Sequence, residues 1–226
     1  MKELKNKQFK APYLIAITGN FGTGKSLIGS ILREKKIPVI DTDDIVADIL
    51  ASRNNITNKI VHAFGKIVLL SLQKNLKNES KKQYINKKAL AGIVFKNNAK
   101  RKLLESIIHP VVRNKLKKFI EVNKTKKIVA VLIPLLFESG MEQNYHEIWC
   151  VTCSKDVQLK RLMKKGFTSK EIKLRLNSQI NQVLKARKSD FVINNSQSVS
   201  STKKQVLGRL KLLARLDRSH HLFLSK

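Results

Sequence analysis

Residues 13–32 constrain this chain more tightly than any other stretch. Tyr13-Leu14-Ile15-Ala16-Ile17 is an apolar run of strand length, and Leu27, Ile28, Ile31 and Leu32 recur at helical spacing. Between them stands Gly19-Asn20-Phe21-Gly22-Thr23-Gly24-Lys25-Ser26, which meets the pattern G-x-x-x-x-G-K-[ST] without a mismatch. At average residue usage that pattern arises by chance in roughly one chain in a hundred of this length. A strand before it and a helix after it give it physical meaning. The glycine-rich turn points successive backbone N–H groups into one concavity, and the helix adds the positive end of its dipole. The expected ligand is the polyphosphate of a nucleotide, touched by Gly19, Asn20, Phe21, Gly22, Thr23, Gly24, Lys25, Ser26 and Leu27. Gly22 and Gly24 let the backbone approach the phosphates without a Cβ in the way. Lys25 would reach the β- and γ-phosphates, and the Ser26 hydroxyl would hold Mg²⁺.

Four further apolar runs read as short strands, at residues 37–40, 128–133, 148–153 and 191–193. Helical patterns separate them, at 26–35, 44–50, 57–70, 87–95, 99–107, 111–122, 155–164, 169–187 and 201–216. Strands alternating with helices predict an α/β fold, a three-layer parallel sheet of about five strands with helices on both faces. In such a sheet the nucleotide belongs at the carboxyl edge. The largely helical stretch between the second and third strands is too long for one crossover and predicts an inserted lobe. The polar segment 73–83 shows no periodicity and reads as a surface loop.

Of the 226 residues, 46 are Lys or Arg and 16 are Asp or Glu, a formal charge of +30. Basic pairs such as Lys35-Lys36, Lys87-Lys88, Lys117-Lys118 and Lys164-Lys165 are spread along the chain. They are solvated lysine faces or a field that draws polyanions, either small phosphate esters or nucleic acid. No basic–aromatic run suggests a base-stacking surface. The longest apolar run, 128–137, contains Pro134 and falls well short of the roughly 18 residues of a membrane span. No membrane partner and a cytoplasmic location are therefore expected. Cys150 and Cys153 form a C-x-x-C on an expected strand, where odd spacing sends them to opposite faces. Without further ligands nearby they read as buried structural thiols.

The second strand ends in Asp41-Thr42-Asp43-Asp44. Asp41 and Asp43, two apart at a strand end, would face one side, toward the phosphates. A kinase needs one carboxylate to accept the acceptor's hydroxyl proton and others to help place the metal. The competing reading is a helix N-cap. After the third strand, Pro134-Leu135-Leu136-Phe137-Glu138 leaves Glu138 either to orient substrate or water, or to pair with a lysine. His109 before Pro110 reads as a helix stop.

Taken together and in this order, several segments resemble the dephospho-coenzyme A kinase family. They are Ile17-Thr18-Gly19, the P-loop, Val39-Ile40-Asp41-Thr42-Asp43, Ile107-Ile108-His109-Pro110 and Pro134-Leu135-Leu136-Phe137-Glu138. Further agreement comes from Ile85-Asn86-Lys87-Lys88-Ala89-Leu90 with Val94-Phe95, from Gln158-Leu159-Lys160-Arg161-Leu162, and from Asp190-Phe191-Val192-Ile193-Asn194-Asn195. The resemblance covers about residues 13–210. It implies an ATP- and Mg²⁺-dependent transfer of the γ-phosphate to the ribose 3′-hydroxyl of dephospho-CoA, the last step of CoA synthesis. It implies Asp43 as general base beside Lys25, and Asn195 in the loop next to adenine. Lys87, His109, Arg113 and Glu138 would lie on the acceptor side with Asp43. It divides one kinase domain, 1–226, into a nucleotide-binding core (12–53, 126–165 and 188–217), an acceptor-binding insertion (54–125), a lid (164–187) and a tail (218–226).

The chain departs from the family pattern at three places. Lys87 stands where an arginine is usual, Leu132 where many members carry an acidic residue, and Gln182 where the lid's Gln-x-x-Arg (here Gln179-Ile180-Asn181-Gln182) has its arginine, so an expected cation is missing. Arg175, Lys185 or Arg187 would then substitute for it, Arg161 counts with Arg175 and Lys185 among the lid candidates, and Gln182→Arg would be expected to raise turnover. Two other readings share parts of this evidence: a nucleotide kinase, and a catalytically weak nucleic-acid-binding protein that keeps the P-loop.

Overall fold

The five apolar runs become strands β1 (Tyr13–Thr18), β2 (Val39–Asp41), β3 (Ile128–Leu132), β4 (Glu147–Thr152) and β5 (Phe191–Asn194) of one sheet, in the order β2-β3-β1-β4-β5. β1 pairs in parallel with β3 and β4, and β4 in parallel with β5. This computed structural model describes residues 11–70, 84–94 and 97–223, with side chains to residue 214. The expected loop at 73–83, Phe95 and the last residues of the expected tail lie outside the described residues.

Nine helices are described: α1 (Lys25–Glu34), α2 (Thr42–Ala51), α3 (Asn55–Phe64), α4 (Lys87–Val94), α5 (Asn98–Val122), α6 (Lys155–Lys164), α7 (Ser169–Asn177), α8 (Gln182–Arg187) and α9 (Val199–Phe223). Strand alternation decides what the sheet buries. Ile15, Ile17, Ala130, Leu132, Trp149, Val151 and Ile193 share one face, and Ile28, Ile31 and Leu32 of α1 cover it with Val206 and Leu213 of α9. Each Ile, Leu or Val of this set withdrawn from water contributes about 1.5–3 kcal/mol. None of the described helices is long and apolar enough to cross a membrane.

The chain falls into two compact units, Met1–Val39 with Thr125–Lys226, and Ile40–Lys124. The second unit takes in α2 through α5, so it begins earlier than the insertion expected at 54–125. The reason is that α2 packs on α3 and α5.

Three local expectations are corrected. The helices expected at 99–107 and 111–122 are one helix, α5, with Pro110 inside it. Proline forfeits the bond to the Ser106 carbonyl and costs about 3 kcal/mol. The apolar stripe Ile108, Val112 and Leu116 nevertheless keeps phase across it and stays buried, which is enough to offset that cost. The helix expected at 169–187 is two, α7 and α8, because Asn181 accepts from the Val183 N–H and starts a new helix. Finally, β4 stops at Thr152, so Cys153 lies beyond the strand. Both thiols are free and buried.

Candidate active site

The P-loop joins β1 to α1 at the carboxyl edge of the sheet. Gly24 is the N-cap of α1 in left-handed backbone (φ 98°, ψ 30°), and it offers the helix no side-chain acceptor; no acidic residue follows in the first turn. Elsewhere Asp41, Asn54, Asn97, Ser154, Thr168 and Asn181 cap α2, α3, α5, α6, α7 and α8 with a side-chain oxygen. A helix start without such a cap, wrapped by a glycine loop, fits an anion. The Lys25 ammonium curls over the loop, donating to the carbonyls of Gly19 at 2.8 Å and Asn20 at 3.2 Å. Ser26 is exposed on the first turn of α1, a hard oxygen donor beside the cradle and a fitting ligand for Mg²⁺, which asks for few protein oxygens when phosphates supply the rest.

The loop is held from outside by residues far away in sequence. Asn195 is buried; its amide donates to the Thr23 carbonyl at 2.7 Å and accepts from the Thr202 hydroxyl at 2.9 Å. The Asn195 side chain thus braces the P-loop from the loop that the resemblance sets next to adenine. Gly24 has no Cβ because Asn195 occupies that space, and a Cβ on Gly22 would come 2.7 Å from Leu162 Cγ. Gln158 donates to the Phe21 carbonyl at 2.5 Å, and Arg161, on the same face of α6, reaches the Thr23 carbonyl at 3.5 Å. Gln158 and Thr202 were not singled out from sequence. The spacing Gln158, Arg161, Leu162 was the available signal for the first.

The lid candidates separate clearly. Arg161 belongs to α6 and lies against the P-loop. Arg175, in the last turn of α7, stacks over Phe21 of the P-loop (4.8 Å) and Phe167 (4.7 Å), whose rings meet edge-on at 5.0 Å. Lys185 is fully buried, with its ammonium 2.8 Å from Glu138 Oε1 and 2.7 Å from the Pro134 carbonyl. Of the two roles open to Glu138, the structure contains the lysine pair. Gln182 is no vacancy in a cation site. Its amide bonds both backbone groups of Cys153, accepting at 3.2 Å and donating at 3.0 Å. Burial pushes the Cys150 thiol up to about 11, although the nearby Lys185 and Lys25 ammonium groups draw it back. Cys153 is raised by burial as well, against the pull of Arg161.

In the second unit, Asp41 closes β2 and caps α2, its carboxylate accepting from the Asp43 N–H at 2.9 Å. The strand-parity argument for these two carboxylates fails because the helix begins at Thr42. Asp43 is exposed in the first turn of α2. Lys87 opens α4, and Arg113 stands on α5; both are exposed, while His109 is half-buried on α5.

Residues 13–201 match a family model described as dephospho-CoA kinase. A dephospho-CoA kinase of Prochlorococcus marinus (strain NATL2A) is 37% identical over 195 residues, which is 85% of this chain and 88% of that protein. One from Oceanobacillus iheyensis is 36% identical, over 85% of this chain and 94% of its own. Among solved structures, the dephospho-CoA kinase from Campylobacter jejuni aligns with a TM-score of 0.59 at 30% identity, covering 90% of this chain and 98% of that one. TT1252 from Thermus thermophilus aligns with a TM-score of 0.75 at 29% identity, covering 92% and 99%.

Proposed function

The chain belongs to the dephospho-CoA kinase family, and from that premise we propose that it transfers the γ-phosphoryl group of ATP to the ribose 3′-hydroxyl of dephospho-CoA, releasing CoA and ADP. The observation that carries this is the P-loop at the end of β1, with α1 left uncapped at its start. In this reading the loop N–H groups and the Lys25 ammonium hold the β- and γ-phosphates and balance the charge that builds on the transferred group. Asp43 accepts the proton of the 3′-hydroxyl as that oxygen attacks phosphorus in line with the departing ADP oxygen. Mg²⁺, held by Ser26 and phosphate oxygens, would add neutralisation of the triphosphate. Lys87 and Arg113 suit the anionic groups of the acceptor, and His109 lies on the same helix as Arg113. A cytoplasmic place of action belongs to the same proposal.

The test is direct. The protein with ATP, Mg²⁺ and dephospho-CoA should form CoA and ADP in equal amounts. Transfer to a nucleoside monophosphate, with none to dephospho-CoA, would overturn the acceptor assignment. Salt-sensitive RNA binding without any CoA formation would overturn the enzyme reading itself.

A further inference from the structure

The short connection between α7 and α8 is fastened to the ends of two neighbouring strands. From the loop after β1, the Asn20 amide donates to the Ile180 carbonyl at 3.1 Å, and the Phe21 N–H donates to Gln179 Oε1 at 2.8 Å. From the turn after β3, Glu138 Oε1 accepts the Ile180 N–H at 2.8 Å and faces the Lys185 ammonium at 2.8 Å. The Pro134 carbonyl accepts from the same ammonium. Ile180 is therefore clasped through its N–H by one strand end and through its carbonyl by the other.

A lysine wholly withdrawn from water is costly unless a carboxylate and hydrogen bonds meet it. Here one carboxylate oxygen serves both the buried ammonium and the Ile180 N–H, so losing its charge loosens two attachments together. The second oxygen, Glu138 Oε2, and the Asn20 side-chain oxygen are buried and have no hydrogen-bond partner among the described residues.

We infer that Glu138 is a positioning residue for the phosphoryl transfer: acting through Ile180 and Lys185, it seats residues 178–185 on the P-loop and so holds Asn20 and Phe21 in place. The catalytic consequence rests on the kinase reading above; the clasp itself does not.

The test uses the full chain and two independent readouts, amide hydrogen exchange without nucleotide and steady-state kinetics. Glu138→Gln keeps an oxygen for the Ile180 N–H but removes the charge opposite Lys185. Exchange at Ile180 and Phe21 should accelerate together, by on the order of tenfold, the scale of one lost hydrogen bond to a charged group. kcat should fall about 100-fold, the cost of a small misplacement at a reacting centre, while KM for dephospho-CoA holds. Gln179→Ala should expose the Phe21 amide and leave Ile180 protected. Should Glu138→Gln fail to fold, the Glu138→Gln/Lys185→Met pair, which leaves no lone buried charge, carries the same exchange measurement. Unchanged exchange at both amides would overturn the inference, as would a loss of activity expressed wholly as a raised KM for dephospho-CoA, which would make Glu138 an acceptor contact. If the unaltered protein forms no CoA, the kinase reading falls and the exchange arm still decides the clasp.

Discussion

Replacing Gly24 with alanine tests the packing that shapes the P-loop. The residue holds left-handed backbone at φ 98°, where a side chain costs about 1–3 kcal/mol. Its new Cβ would also collide with the Asn195 amide nitrogen and come 3.6 Å from the Arg161 guanidinium. Asn195 has little freedom to step aside, because it is buried and bonded on one side to Thr23 and on the other to Thr202. Giving up the Thr23 bond leaves a buried donor unsatisfied, a further cost of about 1–3 kcal/mol. The total, about 2–6 kcal/mol, corresponds to a fall in Tm of roughly 5–20 °C for a chain of this size. Thermal unfolding of Gly24→Ala, Asn195→Ala and the double variant isolates the collision. With the Asn195 amide already gone only the backbone strain remains, so the double variant should be more stable than the sum of the singles by about 1–3 kcal/mol. A single substitution that costs under about 1 kcal/mol would refute the reasoning. So would two substitutions that simply add.

Three further outcomes are expected. Asp43→Asn should lower CoA formation by about 10²–10⁴-fold with ATP affinity unchanged by calorimetry, since α2 keeps its cap from Asp41; near-normal turnover would remove Asp43 as the base. Cys150 keeps its proton in the folded protein up to about pH 11, whereas the unfolded chain releases it near 9. Its contribution to stability is therefore complete below pH 9 and is lost as pH rises through 11. Denaturant titrations should show that fall, roughly 3 kcal/mol, and show less of it in Cys150→Ala. Gln182→Arg should not raise turnover, contrary to the sequence expectation, because it forfeits two bonds to Cys153; a stability loss of about 1–3 kcal/mol in urea unfolding is the measure.

What could be read without coordinates was local. β1, the P-loop and α1 follow from neighbouring residues, and each later strand carries its own apolar run, so the parallel α/β sheet was legible from pattern alone. The errors arose where one more interaction outranked the local pattern. Parity at the end of β2 gave way to the Asp41 cap. A proline that reads as a stop lies inside α5 because the buried stripe continues past it. A single helical period across 169–187 broke at Asn181, whose cap starts α8 beside a peptide claimed by Glu138 and Asn20.

Motif and order together determined the family and its chemistry, because a phosphate cradle is made of contiguous backbone and needs glycine, lysine and serine at fixed spacing. Only the tertiary structure decided which side chains hold that cradle in shape. Asn195, Gln158 and Gln179 reach it from segments more than a hundred residues away, Glu138 acts on it through Ile180, and sequence spacing carries no record of a hydrogen bond made across a sheet edge. It also turned Gln182 and Lys185, which sequence cast as a missing and a substitute cation, into supports. Their partners are the backbone of Cys153 and a buried carboxylate, and burial in a given neighbourhood, not residue type, sets what a polar side chain can do.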